Sequence, residues 1–447
     1  MRALLATSLV LLGGGLFIGT AAVVAQDATP EQLANWHQWR GPLATGFSPT
    51  ATPPLVWSES QNLKWKAAIP GAGKSTPIIW NDRIFLTAAI NSNKVVPTAA
   101  KPEDQPERRF GIKFPNTLYQ YQVICLDRQT GKIVWQKTAV EELPNEGHHG
   151  DNSYASASAI TDGQRVYVSF GSRGLYAYDL DGNLQWQRKL GNVETRFSFG
   201  EGSSPSVHDD VVILVRDNET ASEILAIDAQ SGELLWEAKR DEISAWATPL
   251  ITEFEGRTQV ITNASRRVTS YDLKTGEIIW ECGGQVTNVT PSPVRYENSV
   301  ICMSGYQGSI AVSIPLSSKG DITGSDQVAW KFTRDTPYVP SPLLYGDIVY
   351  FNKLNSAIFT GLNAKSGQPV LETTRLPELS NIYASPVGAA GRIYVVGRDG
   401  TTLVLKQGAT LDVLATNRLE DNIDASPALA GKQLFLRGKS HLYCFEE

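Results

Sequence analysis

Cysteine is scarce in this chain, with four residues in 447. That is too few for a disulfide scaffold of this size. Cys125 and Cys444 occupy the same strand position in two different segments of similar pattern, so they should point the same way and not face each other. Spacing leaves open an approach of Cys282 to Cys302. Buried free thiols are expected for all four. An excess of charge is missing too. Acidic residues number 46 and basic ones 40, a net charge of −6, which gives no footprint for nucleic acid or an anionic membrane surface. The chain also lacks a Walker loop, zinc-ligand spacing and a Ser-His-Asp order, so those enzyme classes have no support in it.

The N-terminus has Arg2 and then an apolar run from Leu4 to Val24, closing on Val23-Val24-Ala25 before Gln26. This predicts an export signal over residues 1–25 and a mature chain starting near Gln26 or Asp27, in the periplasm or outside the cell. An uncleaved anchor is the alternative, since the run has about the length of a spanning helix. No cysteine follows the run, so a lipid anchor is not expected. Contact with a membrane is expected only through a partner or an uncleaved N-terminal segment.

What the chain does have is a period. Short apolar runs open at Pro77, Ser158, Pro205, Pro249, Pro293, Pro342, Pro386 and Pro427, separated by 81, 47, 44, 44, 49, 44 and 41 residues. A step in the forties built of strand-like runs is the mark of a β-propeller with one blade per repeat. The repeat at Ser204 shows the template: strands at Pro205 to Val207, Val211 to Arg216, Glu223 to Asp228 and Glu233 to Lys239. Turns such as Asp127-Arg128-Gln129-Thr130-Gly131 precede the outer strands, with Asp able to bond the backbone ahead and Gly supplying positive φ.

A Trp recurs in the outer strand, at Trp135, Trp186, Trp236 and Trp280, with Trp330 and Trp65 in the equivalent place and Leu371 and Leu414 replacing it in repeats six and seven. These six Trp rings are expected to fill the wedge between blades. The last repeat stops one strand short, and Asn62 to Ala68 has the form of that strand. The fold predicted is therefore all-β, an eight-bladed propeller of four-stranded antiparallel blades over residues 55–447, closed by an N-terminal outer strand. Residues 26–54 form an extension, and residues 90–118 an insertion in blade one.

The Ser-Pro openings, the Asp-x-x-Thr-Gly turns and the outer-strand Trp residues resemble the pyrroloquinoline quinone (PQQ) type propeller repeat, over nearly all of the mature chain. Trp39-Arg40-Gly41-Pro42 looks like the start of many exported members of that family. The resemblance implies one of two activities: a quinoprotein alcohol dehydrogenase, or a BamB-like scaffold that binds no quinone and assists outer-membrane protein assembly. Adjacent cysteines, which the methanol dehydrogenase type carries beside its quinone, do not occur here, and no Cys-x-x-Cys-His offers a haem c site. The expectation is a non-catalytic, monomeric binding scaffold with no cofactor and no metal. Its partner is a protein or peptide, or a small ligand. A PQQ- and Ca²⁺-dependent dehydrogenase is the alternative.

The candidate site is the loop rim around the channel. The loop Glu146 to Tyr154 supplies His148, His149, Asn152 and Tyr154, and the corresponding loops supply Arg196, Glu201, Trp246, Asn288, Tyr338, Tyr383 and Asp424. Aromatic groups converging with a few polar ones make a binding site by default. His148 and His149, adjacent on an extended stretch, should point apart rather than share a metal. Glu201 or Asp424 is the candidate base or Ca²⁺ ligand.

Overall fold

A computed structural model describes residues 28–447; the expected signal over 1–25 lies outside the described residues. Eight sheets form the blades, each with four antiparallel strands; that of blade four carries a fifth, Gly320–Asp321, paired parallel to Ile278–Gly283. In blade three the strands are Ser206–His208, Val211–Arg216, Glu223–Asp228 and Leu234–Lys239, paired in sequence order from the channel outward. Leu63–Ala68 supplies the outer strand of blade eight, antiparallel to His441–Glu446 with Trp65 opposite Cys444. Ring closure by the N-terminal strand is thus as expected.

Local chemistry explains each blade. Asp127 accepts hydrogen bonds from the Gln129 and Thr130 backbone N–H groups and the Thr130 hydroxyl (3.1, 2.8 and 2.7 Å), and Gly131 follows at φ 70°. These donors hold the Asp127 carboxyl below its usual range. The glycine is needed for a second reason. The Trp65 ring of blade eight lies against it, and a Cβ there would fall 2.6 Å from the ring. Trp135, Trp186, Trp236 and Trp330 sit in the same way on Gly182, Gly232, Gly276 and Gly367 of the next blade. Each of these indoles donates to a carbonyl of that turn, as Trp65 Nε1 does to Arg128 at 3.0 Å.

Three junctions depart from the template. After Trp280 the next blade has no such turn, because residues 316–329 form a longer connection. Trp280 Nε1 instead donates to Gln259 Oε1 at 3.1 Å, and Gln259 Nε2 donates on to the Leu316 carbonyl at 2.8 Å. In blade six Leu371 holds the Trp register, opposite Gly361, and is buried. In blade seven the expected Leu414 does not: it is 41% exposed, and the bulged ladder puts Ala415 opposite Val404. The space left by that alanine is filled by Trp57, just after the extension, whose ring packs between Tyr394 and Phe445 while its backbone N–H donates to Asn417 Oδ1.

At the axis the residue before each proline closes a second ring. The backbone N–H of Thr76 donates to Ser158 Oγ, Ser158 to Ser204, Ser204 to Thr248, Thr248 to Ser292, Ser292 to Ser341, Ser341 to Ser385 and Ser385 to Ser426, at 2.9–3.2 Å. The Thr76 hydroxyl completes the circle on the Ser426 carbonyl. Ser158 is therefore a member of this hydroxyl series, and Ala159 stands where the other repeats have proline.

Residues 28–54 do not trail from the ring. They bond to the inner edges of the innermost strands: Trp36 pairs with Ile79, His37 accepts from Thr161, Thr45 from Leu344, and Phe47 bridges to Gly388. Arg40, fully buried, places Nη2 on the Pro342 and Pro386 carbonyls at 2.9 and 2.8 Å. Burial without a counter-charge pushes its pKa down to about 9. The extension thus obstructs the channel at the end opposite the loops. The insertion is not a loop throughout, either. Arg83–Val95 and Thr117–Asp127 continue as a paired arm, flanked by Ile133–Glu142 as far as Tyr119, leaving residues 96–116 as its tip. All four cysteines are buried and free. Burial pushes the Cys125 and Cys444 thiols up to about 12, and complete burial, with a smaller contribution from Cys282, raises that of Cys302.

Candidate functional site

Above the hydroxyl ring the loops enclose an open well of about 330 Å³. Of the eleven residues expected at the rim, six line it: His149, Asn152, Trp246, Tyr338, Tyr383 and Asp424. Each is fixed by the protein. Trp246 Nε1 donates to the Gly200 carbonyl at 2.7 Å, and Asn152 Nδ2 donates to the Phe199 carbonyl at 2.8 Å. Tyr338 stacks on Tyr306 with ring centres 4.7 Å apart. Tyr383 donates its hydroxyl to Asp151 Oδ2 at 2.8 Å under the Arg398 guanidinium.

The other five are not brought to the well. The two adjacent histidines do point apart: His148 turns toward Tyr154, its Nδ1 at 2.7 Å from the His149 carbonyl, while His149 faces Phe199. Burial holds the His148 imidazole below its usual pKa. Tyr154 donates to the Glu146 carbonyl at 3.1 Å. Arg196 covers the Phe197 ring. Glu201 accepts the Ser172 N–H at 2.6 Å and clamps that turn. Asn288 is buried at φ 59°, beneath the rim, with its amide toward the Tyr338 hydroxyl. In the first four cases a local backbone or packing requirement takes the side chain, whereas the buried Asn288 amide has no hydrogen-bond partner among the described residues.

Sequence reasoning missed several residues that line or support the well. Lys74 pairs with Asp424, and Arg398 bridges Asp424 (Nε to Oδ1, 2.6 Å) and Asp151 (Nη2 to Oδ1, 2.8 Å). The four charges are thus compensated in one chain, and Arg398 with Tyr383 holds the Asp151 carboxyl below its usual range despite burial. Lys74 sits beside the Ser-Thr-Pro opening of blade one, which is a usable signal; nothing marks Arg398 in the sequence. Phe110, at the tip of the arm, reaches the rim and packs edge-on to His149 and near Phe199, with centres 5.5 and 5.3 Å apart. Phe110 is 64% exposed, and both it and Phe197 have positive φ (59° and 53°), so the arm's tip and the opposite loop present strained, exposed rings. Trp39 of the extension forms the floor, its Nε1 donating to Ser292 Oγ at 3.0 Å.

Beside the well a second cavity contains Glu146, whose carboxylate accepts the Thr195 hydroxyl at 2.6 Å and backbone N–H at 3.1 Å. Burial outweighs these bonds and raises its pKa to about 7. The folded chain therefore holds this proton more tightly than the unfolded one. The resulting stabilisation is complete below the ordinary carboxyl pKa and lost as pH rises through about 7. Glu146→Gln should melt like the parent at pH 5 and a few degrees higher at pH 8, reflecting about 1–2 kcal/mol. The parent's own decline between those pH values will be reduced, not abolished, because Glu242 is raised to about 7 in the same way. Equal pH profiles for the two proteins would remove Glu146 as the cause.

PQQ is a flat, multiply carboxylated quinone that is held with Ca²⁺ where it serves alcohol oxidation. The lining residues match it poorly. Both cations, Lys74 and Arg398, are already committed to Asp424 and Asp151. Among the described residues no group of three or more His, Cys, Asp or Glu is placed to share a metal.

The fold and the well define an eight-bladed propeller with a cavity in its loop face. Comparisons refine this. The profile of the PQQ-repeat family described as outer membrane protein assembly factor BamB matches residues 119–370, more than half of the chain. The chain belongs to that PQQ-repeat propeller family. It is also 26% identical over 153 residues to methanol dehydrogenase [cytochrome c] subunit 1 of Methylobacterium organophilum, a match covering 29% of this chain and 23% of the relative. The chain thus spans less than a quarter of that protein's length. The quinohemoprotein alcohol dehydrogenase ADHIIG of Pseudomonas putida HK5 superposes with a TM-score of 0.56 at 11% identity, over 96% of this chain and 82% of that one, which shows the shared fold alone. BamB of Moraxella catarrhalis superposes with a TM-score of 0.41 at 13% identity, over 86% of this chain and 99% of that one, too loosely to argue from.

Proposed function

We propose that this chain is an exported, non-catalytic propeller that binds a segment of another protein at its loop face. The observation that carries this reading is the well itself. Its walls are aromatic, its rim presents the exposed rings of Phe110 and Phe197, and its charged groups are satisfied by one another. Such a cavity offers apolar contact and hydrogen bonds with little demand for an ion, as the core of a protein interface does. Trp246, Tyr338 and Tyr383 are the anchors, since large rings fixed in place lose little entropy on binding and dominate interface energies.

Capture of partners from an extract of the source cells, followed by crosslinking, tests the reading. Alanine at all three anchors should abolish recovery of the specific partner while leaving the melting curve within a few degrees of the parent. Recovery unchanged in the triple variant would sink the assignment. A second measurement addresses the dehydrogenase alternative. Ligand at 100 times its Kd stabilises a protein by about 2.7 kcal/mol, so PQQ with Ca²⁺ should leave the melting midpoint unmoved if this reading holds. A quinone-dependent rise would instead favour a PQQ dehydrogenase.

A further inference from the structure

Beneath the aromatic walls, six members of the hydroxyl ring line the lower part of the well: Ser158, Ser204, Thr248, Ser292, Ser385 and Ser426. Every one of these oxygens accepts a backbone N–H from the neighbouring blade. Among the described residues none of the six donates its own hydrogen to a protein acceptor. A hydroxyl has one donor to place. Here the oxygen's position is fixed by the blade junction, so the hydrogens are left for whatever enters the well.

The floor adds a second condition. Trp39 spends its indole N–H on Ser292, so it offers the entering group only its ring. It is held there by the extension, with Arg40 anchored on the Pro342 and Pro386 carbonyls and Trp36 paired to Ile79. The far end of the channel is obstructed by that segment, so no strand can thread through; what enters must be a tip. The third condition is charge. Lys74, Asp424, Arg398 and Asp151 already neutralise one another, and a further ion would be desolvated without a partner.

We propose that the well receives one uncharged aromatic side chain with an oxygen at its end, a tyrosine of the partner protein, seated on Trp39 with its phenol oxygen among the ring hydroxyls. This rests on the protein-binding reading above. Tyrosine meets all three conditions. Phenylalanine would cover the hydroxyl hydrogens and leave them unpaired. Tryptophan brings no acceptor, and carboxylate, ammonium or phosphorylated side chains bring charge.

The test begins with the unmodified protein and four probes, titrated and read by saturation-transfer NMR: N-acetyltyrosinamide, N-acetylphenylalaninamide, the O-phosphorylated tyrosine amide and methyl glucoside. The tyrosine probe should bind, the phenylalanine probe at least about tenfold more weakly, and the phosphorylated probe and the glucoside not measurably. Trp39→Ala should weaken the tyrosine probe by about tenfold or more, with Trp39→Phe recovering most of it. Equal binding of the phenylalanine and tyrosine probes, or tighter binding of the glucoside, overturns the assignment. The two proposals fail separately. If the triple rim variant loses partner capture but excess tyrosine probe and Trp39→Ala leave capture untouched, the tyrosine assignment falls and the binding function stands. If capture ignores the rim variant, the function falls whatever the probes do.

Discussion

Removing Leu63–Ala68 should leave a chain that neither melts cooperatively nor stays monomeric. The strand covers the edge of His441–Glu446, makes that blade's fourth rung and carries Trp65 onto Gly131 of blade one. Without it the ring has two open edges, one a row of unpaired backbone groups beside a buried core containing Phe435, Leu442 and Phe445, a template for association with other chains. Loss of the Trp65 ring alone should cost about 3–5 kcal/mol, as for other large buried aromatics cut to alanine. Size-exclusion chromatography and calorimetry check both statements. A stable monomer lacking the strand would mean that the ring is held by something other than this seam.

The second large effect is expected from a change of small volume, Gly182→Val. The residue has φ 85°, where a β-branched side chain is strained. Its new Cβ would fall 2.7 Å from the Trp135 ring, which cannot retreat because its indole N–H is bonded to the Leu180 carbonyl at 3.0 Å. Backbone strain and displacement of the ring together should cost about 3–4 kcal/mol, beyond the usual range for a single substitution. By contrast Gly111→Ala, at φ 65° but with no atom within 4 Å of the added methyl, carries the strain alone and should cost about 1 kcal/mol. Denaturant melts of the pair separate the two contributions; similar losses would show that the docked ring yields readily.

The period made the blades readable, and Val211–Arg216 and Glu223–Asp228 end where the sequence pattern ends them. Closure was readable because the final repeat lacks a strand that Asn62 to Ala68 resembles. Leu414 was misplaced because the turn of blade seven, closed from Lys406 to Asp412, is longer than the Asp127–Lys132 turn of blade one, so the count from turn to outer strand fails there; the bulge itself recurs in the other blades. Trp57 could not be matched to the vacancy at Ala415, since the two lie far apart in sequence and only the closed ring brings them together. The well was half legible for a similar reason. Position in the repeat identifies which loops face the axis, but it does not say which side chains are retained by their own turn, as Glu201 is by Ser172. Arg398 and Phe110 reach the rim from places the period does not mark. The extension, at Trp39 and Arg40, carries a motif that announces a family and says nothing of a floor.

The blade junctions also bear on how such a ring can grow. Five of them, four in succession from blade eight to blade four and one between blades five and six, use the same three parts, a serine or threonine at the axis, a turn glycine and an outer-strand indole, each supplied by one repeat to its neighbour. A duplicated repeat from this stretch would arrive with a mate on either side already in place, so the copy number could change there without any new contact having to evolve. The junctions after blades four, six and seven are different, because Gln259 and Trp57 come from outside the shared set and Leu371 replaces the indole of blade six. A copy made across any of these would land beside a neighbour that cannot receive it, and the shared junction between blades five and six is flanked by two of them, which confines modular expansion of this ring to the arc that begins at blade eight and runs through blade four.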